Sequence, residues 1–462
     1  MLKTSKQNAG NMAGCCPSVL LCRKKVEHIM DQENRQLQLD PVTGLPNRFE
    51  LVKALEEFLQ ATGGEMDGAI MAIGLDNFQL VNEICGPRIG DEALRQIAEN
   101  ITNVLPYDIQ LYKLSGDQFC IFWPESMPDE MEIVFASLQL SLRDIAAIED
   151  KVYCTTTAGV AFYPRDGKDP DVLLMHAQAA KTIARQEGGG DRICFFNQEV
   201  YARWRYNVMM QGLMKNSIAR GCEDFFLYFQ PQVRASDQRL YGAEALLRWQ
   251  NADGEILPPL EFIPVLEKTR LIIPAGHWII EQAVKTCKKW QKYIPDFQMS
   301  INISLYQLEE QMLYPFVADC LERYEMDPQY IIFELTEGQN VTDWEYVNSQ
   351  FASFRKLGIK IAMDDFGSGY ATLNFLRLFD CDLIKLDRFV IEDLLACDFN
   401  KNLVKYAIKL CHALNMEVCV EGVEEEDVYH FLRDECEADA IQGFYFGRPE
   451  PEDVFEKRFD KG

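Results

Sequence analysis

At 462 residues the chain is too long for one typical domain and fits two. Hydrophobic residues at 48% and aromatics at 11% suffice for ordinary cores, which excludes a wholly disordered chain. With 46 basic against 72 acidic residues, a formal charge of -26 repels a nucleic-acid backbone, although a divalent cation can reverse that sign locally for a small phosphate ester.

Residues 1–38 read as a tail and a short helix. The tail is polar, and its "CCPSVLLC" (15–22) lacks the His or second Cys pair that a zinc site needs. "KKVEHIMDQENRQLQLD" predicts the helix, which runs into the turn-rich "DPVTGLPNR". The 15 cysteines are odd in number and include no CxxC pair, so they read as reduced thiols of a cytoplasmic protein. No apolar run approaches the ~20 residues of a membrane span.

Over residues 39–198, helical stretches such as "RFELVKALEEFLQ" and "DEALRQIAENITNVL" alternate with strands "GAIMAIGL", "IQLYKL", "FCIFW" and "YCTTTAGVAFY". This predicts an α+β domain, a mixed sheet with helices on one face. In "KLSGDQFCIFW" two apolar strands flank a tip that holds Asp117. Residues 199–222 form a helical connector whose Met and aromatic stripe reads as core or an interdomain contact.

Residues 223–458 change character. Eight short apolar runs, "FFLYFQP", "YGAEALLRW", "QMSINIS", "YIIFELTE", "IKIAMDDFG", "DLIKLD", "EVCVEGVE" and "AIQGF", have helical segments between most of them. That is the pattern of an α/β (β/α)8 barrel of the TIM type. Seven of the runs end near a polar residue: Glu244, Asn302, Glu334, Asp364 with Asp365, Lys385, Glu421 and Gln442. In a barrel the strand C-termini converge on one mouth, where this architecture builds active sites.

Clustered carboxylates either take up protons or bind cations, and oxygen ligands with one Asn suit Mg²⁺ or Mn²⁺ rather than zinc. The Asp364–Asp365 pair suits a two-metal site, whose ions about 3.5–4 Å apart clamp a phosphodiester and activate a water. Lys385 is placed to orient or deprotonate that water. Arg248, one turn beyond Glu244, is placed for a bidentate phosphate contact. Metal-dependent phosphate-ester hydrolysis follows from these residue types.

"EALLRW", "INIS", "ELTE", "DDFGSGY", "IKLDR", "VEGVE" and "QGFYFGRP" resemble, in order, the motif series of EAL-domain phosphodiesterases. The resemblance implies hydrolysis of cyclic di-GMP to pGpG with two Mg²⁺ or Mn²⁺ ions. By it, Glu244, Asn302, Glu334 and Asp364 match metal ligands, and Asp365 serves the second metal. Lys385 and Glu421 match the residues that handle the attacking water, Glu421 also standing at the metal site. Gln442 and Gln230 match polar substrate contacts, while Glu337 and Glu267 match residues that position the loop after Asp365. Such barrels commonly pair, which implies a homodimer.

The first half resembles a GGDEF diguanylate-cyclase domain through "DPVTGLPNR", "FQLVNEICGPRIGDEAL" and "SGDQF". It departs from that pattern at Ser115, at Gln118, at Gly74 where a metal-binding Asp is expected, and at Gln79 in place of a Lys. Arg185 matches a phosphate-binding Lys, but Gly189 replaces the next Arg, and "PYDI" (106–109) stands where a product-inhibition motif is expected. Asn82 and Asp91 match guanine contacts and Asp117 the remaining metal acid. The resemblance implies a degenerate cyclase domain, either a regulator that binds GTP or a folded spacer and dimerisation element. For the whole chain, the alternative to the enzyme is a receptor that holds cyclic di-GMP without cleaving it.

Overall fold

Alternate residues of the strand Gly68–Leu75 (β1) enter two different cores, because all eight of its residues are buried. Ala69, Met71 and Ile73 pack with residues of three helices, α2 (Phe78–Cys85), α3 (Pro87–Val104) and α4 (Pro128–Arg143). Ile70 and Ala72 pack on the opposite side with α1 (Arg48–Thr62) and α5 (Pro170–Gly188). Helices therefore cover both faces of this sheet, not one. A strand without polar alternation has no face to offer water. The computed structural model describes residues 38–63, 66–143, 155–188, 190–251, 253–336, 343–367 and 375–461. The predicted N-terminal helix, the "CCPSVLLC" segment, Gly189 and Glu337 lie outside them.

The five-stranded sheet has the order β2-β3-β1-β4-β5, with β2 (Leu111–Lys113), β3 (Gln118–Pro124), β4 (Thr156–Tyr163) and β5 (Ile193–Phe195). All neighbours are antiparallel except β4 and β5. The three-residue β5, beyond the Gly-rich segment, escapes a reading based on apolar runs. At the β2–β3 tip the buried Lys113 amine donates to the carbonyls of Gly116 and Gln118, and Gly116 takes the positive φ of 56° that the turn needs.

The chain divides into two compact units between Tyr206 and Asn207, within the connector helix α6 (Gln198–Ala219). Tyr201 of that helix packs in the first unit's core, and Met210 and Met214 in the second's.

In the second unit eight strands close on themselves: β6 (Phe225–Arg234), β7 (Leu240–Gln250), β9 (Gln298–Asn302), β10 (Ile331–Thr336), β11 (Lys360–Phe366), β12 (Leu383–Leu386), β13 (Glu417–Val420) and β14 (Ala440–Gln442). Two short strands, β8 (Ile256–Leu257) and β15 (Glu450–Pro451), flank β7 and β6. The helices that cover the barrel include α7 (Pro259–Lys268), α8 (Ile272–Trp290) and α9 (Asp398–Ala413). β6 runs antiparallel to both its barrel neighbours, β7 and β14, so its C-terminus does not join the shared mouth. The reason is in the chain: only five residues separate Arg234 from Leu240. A parallel crossover needs a dozen or more.

Residues with period-2 spacing line the barrel interior. Ile332, Ala362, Leu383, Cys419 and Ala440 form a small apolar plug, while Phe333, Ile361, Met363, Ile384, Val418 and Ile441 join the larger core shared with the helices. No helix among the described residues is long and apolar enough to cross a membrane.

Candidate active site

Two residues beyond each plug residue stands a site residue: Ile332 leads to Glu334, Ala362 to Asp364, Leu383 to Lys385, Cys419 to Glu421 and Ala440 to Gln442. Strand alternation alone turns them into the barrel above the plug. Register sets the neighbours, with Glu334 beside Asn302, Glu244 beside Ser300, and Glu244 opposite Gln230 on the antiparallel β6. Glu244 stands mid-strand rather than at an end, because β7 continues to Gln250 along β6 and β8.

Successive residues of a regular strand face opposite ways, so Asp364 and Asp365 would not share a site. β11 solves this with a register shift between Met363 and Phe366 and with a positive φ of 57° at Asp365. A non-glycine residue in that backbone region is strained by about 1–3 kcal/mol, held here by the surrounding barrel. Asp364, Asp365 and Glu421 consequently offer oxygens within 4.8 Å of one another, as do Glu244, Glu334 and Asp364.

Between these acids lies Lys385, which is fully buried. Its Nζ is 2.7 Å from Glu421 Oε1, 2.9 Å from Glu334 Oε2, 3.0 Å from Asp364 Oδ1 and 3.1 Å from Glu244 Oε2. Burial opposes the lysine's charge, but Asp364, Glu244, Glu334 and Glu421 outweigh it and raise its pKa well above the ordinary value. A lysine held charged in this way is suited to orienting and charge-balancing rather than to taking a proton.

Burial lifts Glu334 well above the carboxylate range and pushes Glu421 up to about 8, with Asp364 and Glu244 adding to the Glu421 shift. Burial, then the neighbouring Asp364, pushes Asp365 up to about 6, and burial raises Asp364 as well. Glu244 goes the other way: burial is outweighed by Lys385 and by hydrogen bonds from Gln442 and Asn302.

Four carboxylates around one ammonium would carry a negative surplus when ionised, which helps to hold the protons on Glu334, Asp364 and Glu421 and which a bound cation would neutralise. Glu334 Oε1 has no hydrogen-bond partner, and Asp364 Oδ1 is near Lys385 Nζ without the alignment to accept from it. Buried oxygens left this way are what a hard, oxygen-preferring cation coordinates, so the residues present fit Mg²⁺ or Mn²⁺.

The amides hold the acids in place. Asn302 Nδ2 donates to Glu244 Oε1 at 2.8 Å, and Gln442 Nε2 donates to Glu244 Oε2 at 2.6 Å and to Gln230 Oε1 at 3.2 Å. Gln232 Nε2 donates to Gln442 Oε1 at 2.9 Å and to Ser300 Oγ at 3.4 Å. Neither Gln232 nor Ser300 was expected, although the spacing of Gln230 and Gln232 in "YFQPQV" carries the strand signal.

Beside the acids opens a cavity of about 470 Å³, lined by Glu244, Asn302, Asp364 and Asp365 and by an apolar wall of Leu246, Leu260, Ile263 and Pro264. Glu267 lines it too. Arg248 is not one helical turn beyond Glu244. β7 is extended there, which puts it about 13 Å further along. Its guanidinium donates to the Leu247 carbonyl at 2.8 Å and stacks on Tyr228.

In the first unit, Asn82 lies with Oδ1 against Gly90, where a Cβ would come within 1.9 Å, and so beside Asp91. Asp117 at the hairpin tip accepts on its backbone carbonyl from Leu75 N-H at 3.3 Å. Asp76, which sequence reasoning missed, is buried, accepts from the Thr157 and Thr155 hydroxyls at 2.6 and 3.1 Å, and pairs with Arg185 at 3.1 Å.

A family profile described as "EAL domain" matches residues 215–449, half of the chain. The chain belongs to the EAL-domain family. The profile "Diguanylate cyclase, GGDEF domain" matches residues 37–191, so a GGDEF domain precedes the EAL barrel. The chain is 29% identical over 425 residues to Cyclic di-GMP phosphodiesterase PdeR of Escherichia coli, covering 91% of this chain and 63% of that protein. It is 30% identical over 426 residues to Bifunctional diguanylate cyclase/cyclic di-GMP phosphodiesterase MucR of Pseudomonas aeruginosa, covering 91% of this chain and 62% of that one. It thus spans less than two thirds of these relatives' length. Among solved structures, the EAL enzyme Bd1971 in its cAMP- and cyclic-di-GMP-bound form matches with a TM-score of 0.53 at 29% identity, covering 63% of this chain and 76% of that one.

Proposed function

We propose that the EAL barrel is a phosphodiesterase that hydrolyses cyclic di-GMP to linear pGpG with two divalent cations, Mg²⁺ or Mn²⁺. The observation that carries this reading is the pair of acid sets sharing Asp364, with the buried Glu334 Oε1 left without a hydrogen-bond partner. Glu244, Asn302, Glu334 and Asp364 would hold one ion, and Asp364, Asp365 and Glu421 the other. Bound there, the ions would supply a polarised phosphodiester and an activated water.

The chain's own residues divide the remaining work. Lys385 keeps its proton, fixes the four acids and offsets charge that develops on the phosphate. Glu421, 2.7 Å from the Lys385 amine and beside Asp364 and Asp365, handles the attacking water. Gln442 and Gln230, joined to each other by a hydrogen bond beside Glu244, orient the ligand, and the apolar wall of Leu246, Leu260 and Ile263 receives a base. Glu267 shares the cavity lining with Asp365 and helps to position it, and Arg248 contacts phosphate. Similarity to the cyclic di-GMP phosphodiesterase PdeR and to the cyclic-di-GMP-bound enzyme Bd1971 supports the substrate assignment.

The GGDEF domain does not cyclise GTP in this reading, because Gly74 removes one of its two metal carboxylates. It serves as a regulator that takes GTP through Asn82, Asp91 and Asp117, or as a dimerisation element. A homodimer forms through α9, which exposes Phe399, Leu403, Tyr406 and Leu410 on one face while Val404, Ile408 and Cys411 are buried on the other. None of the described cysteines forms a disulfide, which fits a cytoplasmic protein.

Purified protein incubated with cyclic di-GMP and Mg²⁺ or Mn²⁺ is expected to release pGpG, and the Glu244→Ala variant to release none. Binding without turnover would replace the enzyme by the non-hydrolysing receptor.

A further inference from the structure

Two glycines in adjacent strands of the GGDEF sheet make room for one lysine. At Gly159 of β4 a Cβ would lie 2.1 Å from the backbone nitrogen of Lys181, so α5 packs directly on the strand there. At Gly74 of β1 a Cβ would lie 3.3–3.6 Å from Cδ, Nζ and Cε of the same lysine. The Lys181 side chain thus extends over the end of β1, into the space a residue-74 side chain would point toward. Gly74 pairs across the sheet with Gln118, next to Asp117.

The amine is half-buried and, among the described residues, makes no hydrogen bond or ion pair. Burial lowers its pKa, while Asp117, the first of its charged neighbours, acts to keep it charged. One turn further along α5, Arg185 supplies a second positive charge. Asp76 is already occupied by Arg185 and two threonine hydroxyls.

A divalent metal does not fit this arrangement. It would have one carboxylate, Asp117, where two are expected, and it would compete with an ammonium for the same space. A polyphosphate fits it well, since its oxygens would meet Lys181 and Arg185 as charge-assisted donors. We infer that Lys181 is the built-in cation at this end of the GGDEF sheet, so that this domain binds a nucleoside triphosphate without a divalent metal. The inference rests on the reading that the domain is not a cyclase, and it assigns the residue that replaces the metal.

The full chain is titrated with fluorescent, non-hydrolysable GTP analogue in EDTA and in excess Mg²⁺. The two dissociation constants are expected to agree within about threefold, and Lys181→Met to weaken binding about tenfold or more in EDTA. Circular dichroism confirms that the variant is folded. The double variant Gly74→Asp/Lys181→Leu returns a carboxylate and removes the cation, and its binding is expected to become Mg²⁺-dependent. Binding by the natural chain only in Mg²⁺, no binding in either condition, or an unchanged Lys181→Met would each overturn the inference. Conversion of GTP itself to cyclic di-GMP would instead overturn the reading beneath it.

Discussion

Lys385 balances acids on four different strands or strand ends, so its removal is felt more widely than that of any one ligand. Lys385→Met leaves buried carboxylates without their counter-charge, and a broken buried ion pair costs roughly 3–5 kcal/mol. A lower melting temperature without metal, partly recovered on adding Mg²⁺, is expected by calorimetry; an unchanged melt would show that the acids are not charged. The acids make their own prediction for the metal-free protein. Glu421 is raised from the ordinary 4.5 to about 8 in the fold, so between those values the folded state binds more protons than the unfolded one. Stability therefore falls as pH rises through that window. Thermal melts at pH 5 and pH 8 should show the decline, and Mg²⁺ should reduce it at the higher pH. Most of the site was readable from residues because charged groups interrupt runs that are otherwise apolar. Gln232 was not, since its alternation with Gln230 marks a strand and does not by itself mark a site.

At the scale of elements, the β11 irregularity decides whether two adjacent aspartates serve one site. Nothing in "AMDDFG" announces a bulge, and the positive φ at Asp365 emerges only from the closed barrel. The reversed β6 was readable in principle, because a five-residue link allows a hairpin and no crossover. Helices on both faces of the GGDEF sheet were readable too, from the unbroken apolar run of β1. Gly159 gives this level its test. Its missing Cβ lets α5 lie against β4, and Gly159→Ala would force them apart, costing about 1–3 kcal/mol as overpacking does. Chemical denaturation should show a lower midpoint for that domain, with turnover of cyclic di-GMP little changed.

Across the whole molecule, the charge of -26 suits a protein that meets phosphate through bound cations rather than through a basic surface. The exposed stripe on α9 is the feature that calls for a partner. Leu403→Glu with Tyr406→Glu is expected to turn a dimer into a monomer in sedimentation experiments, and an unchanged mass would exclude α9 as the interface. The central claim is chemical and is tested most directly by a single-turnover experiment with labelled cyclic di-GMP and enzyme in excess. The account predicts linear pGpG when Mg²⁺ or Mn²⁺ is present, none in EDTA, and none with Glu244→Ala. Recovery of intact cyclic di-GMP from metal-loaded, ligand-bound protein would contradict it.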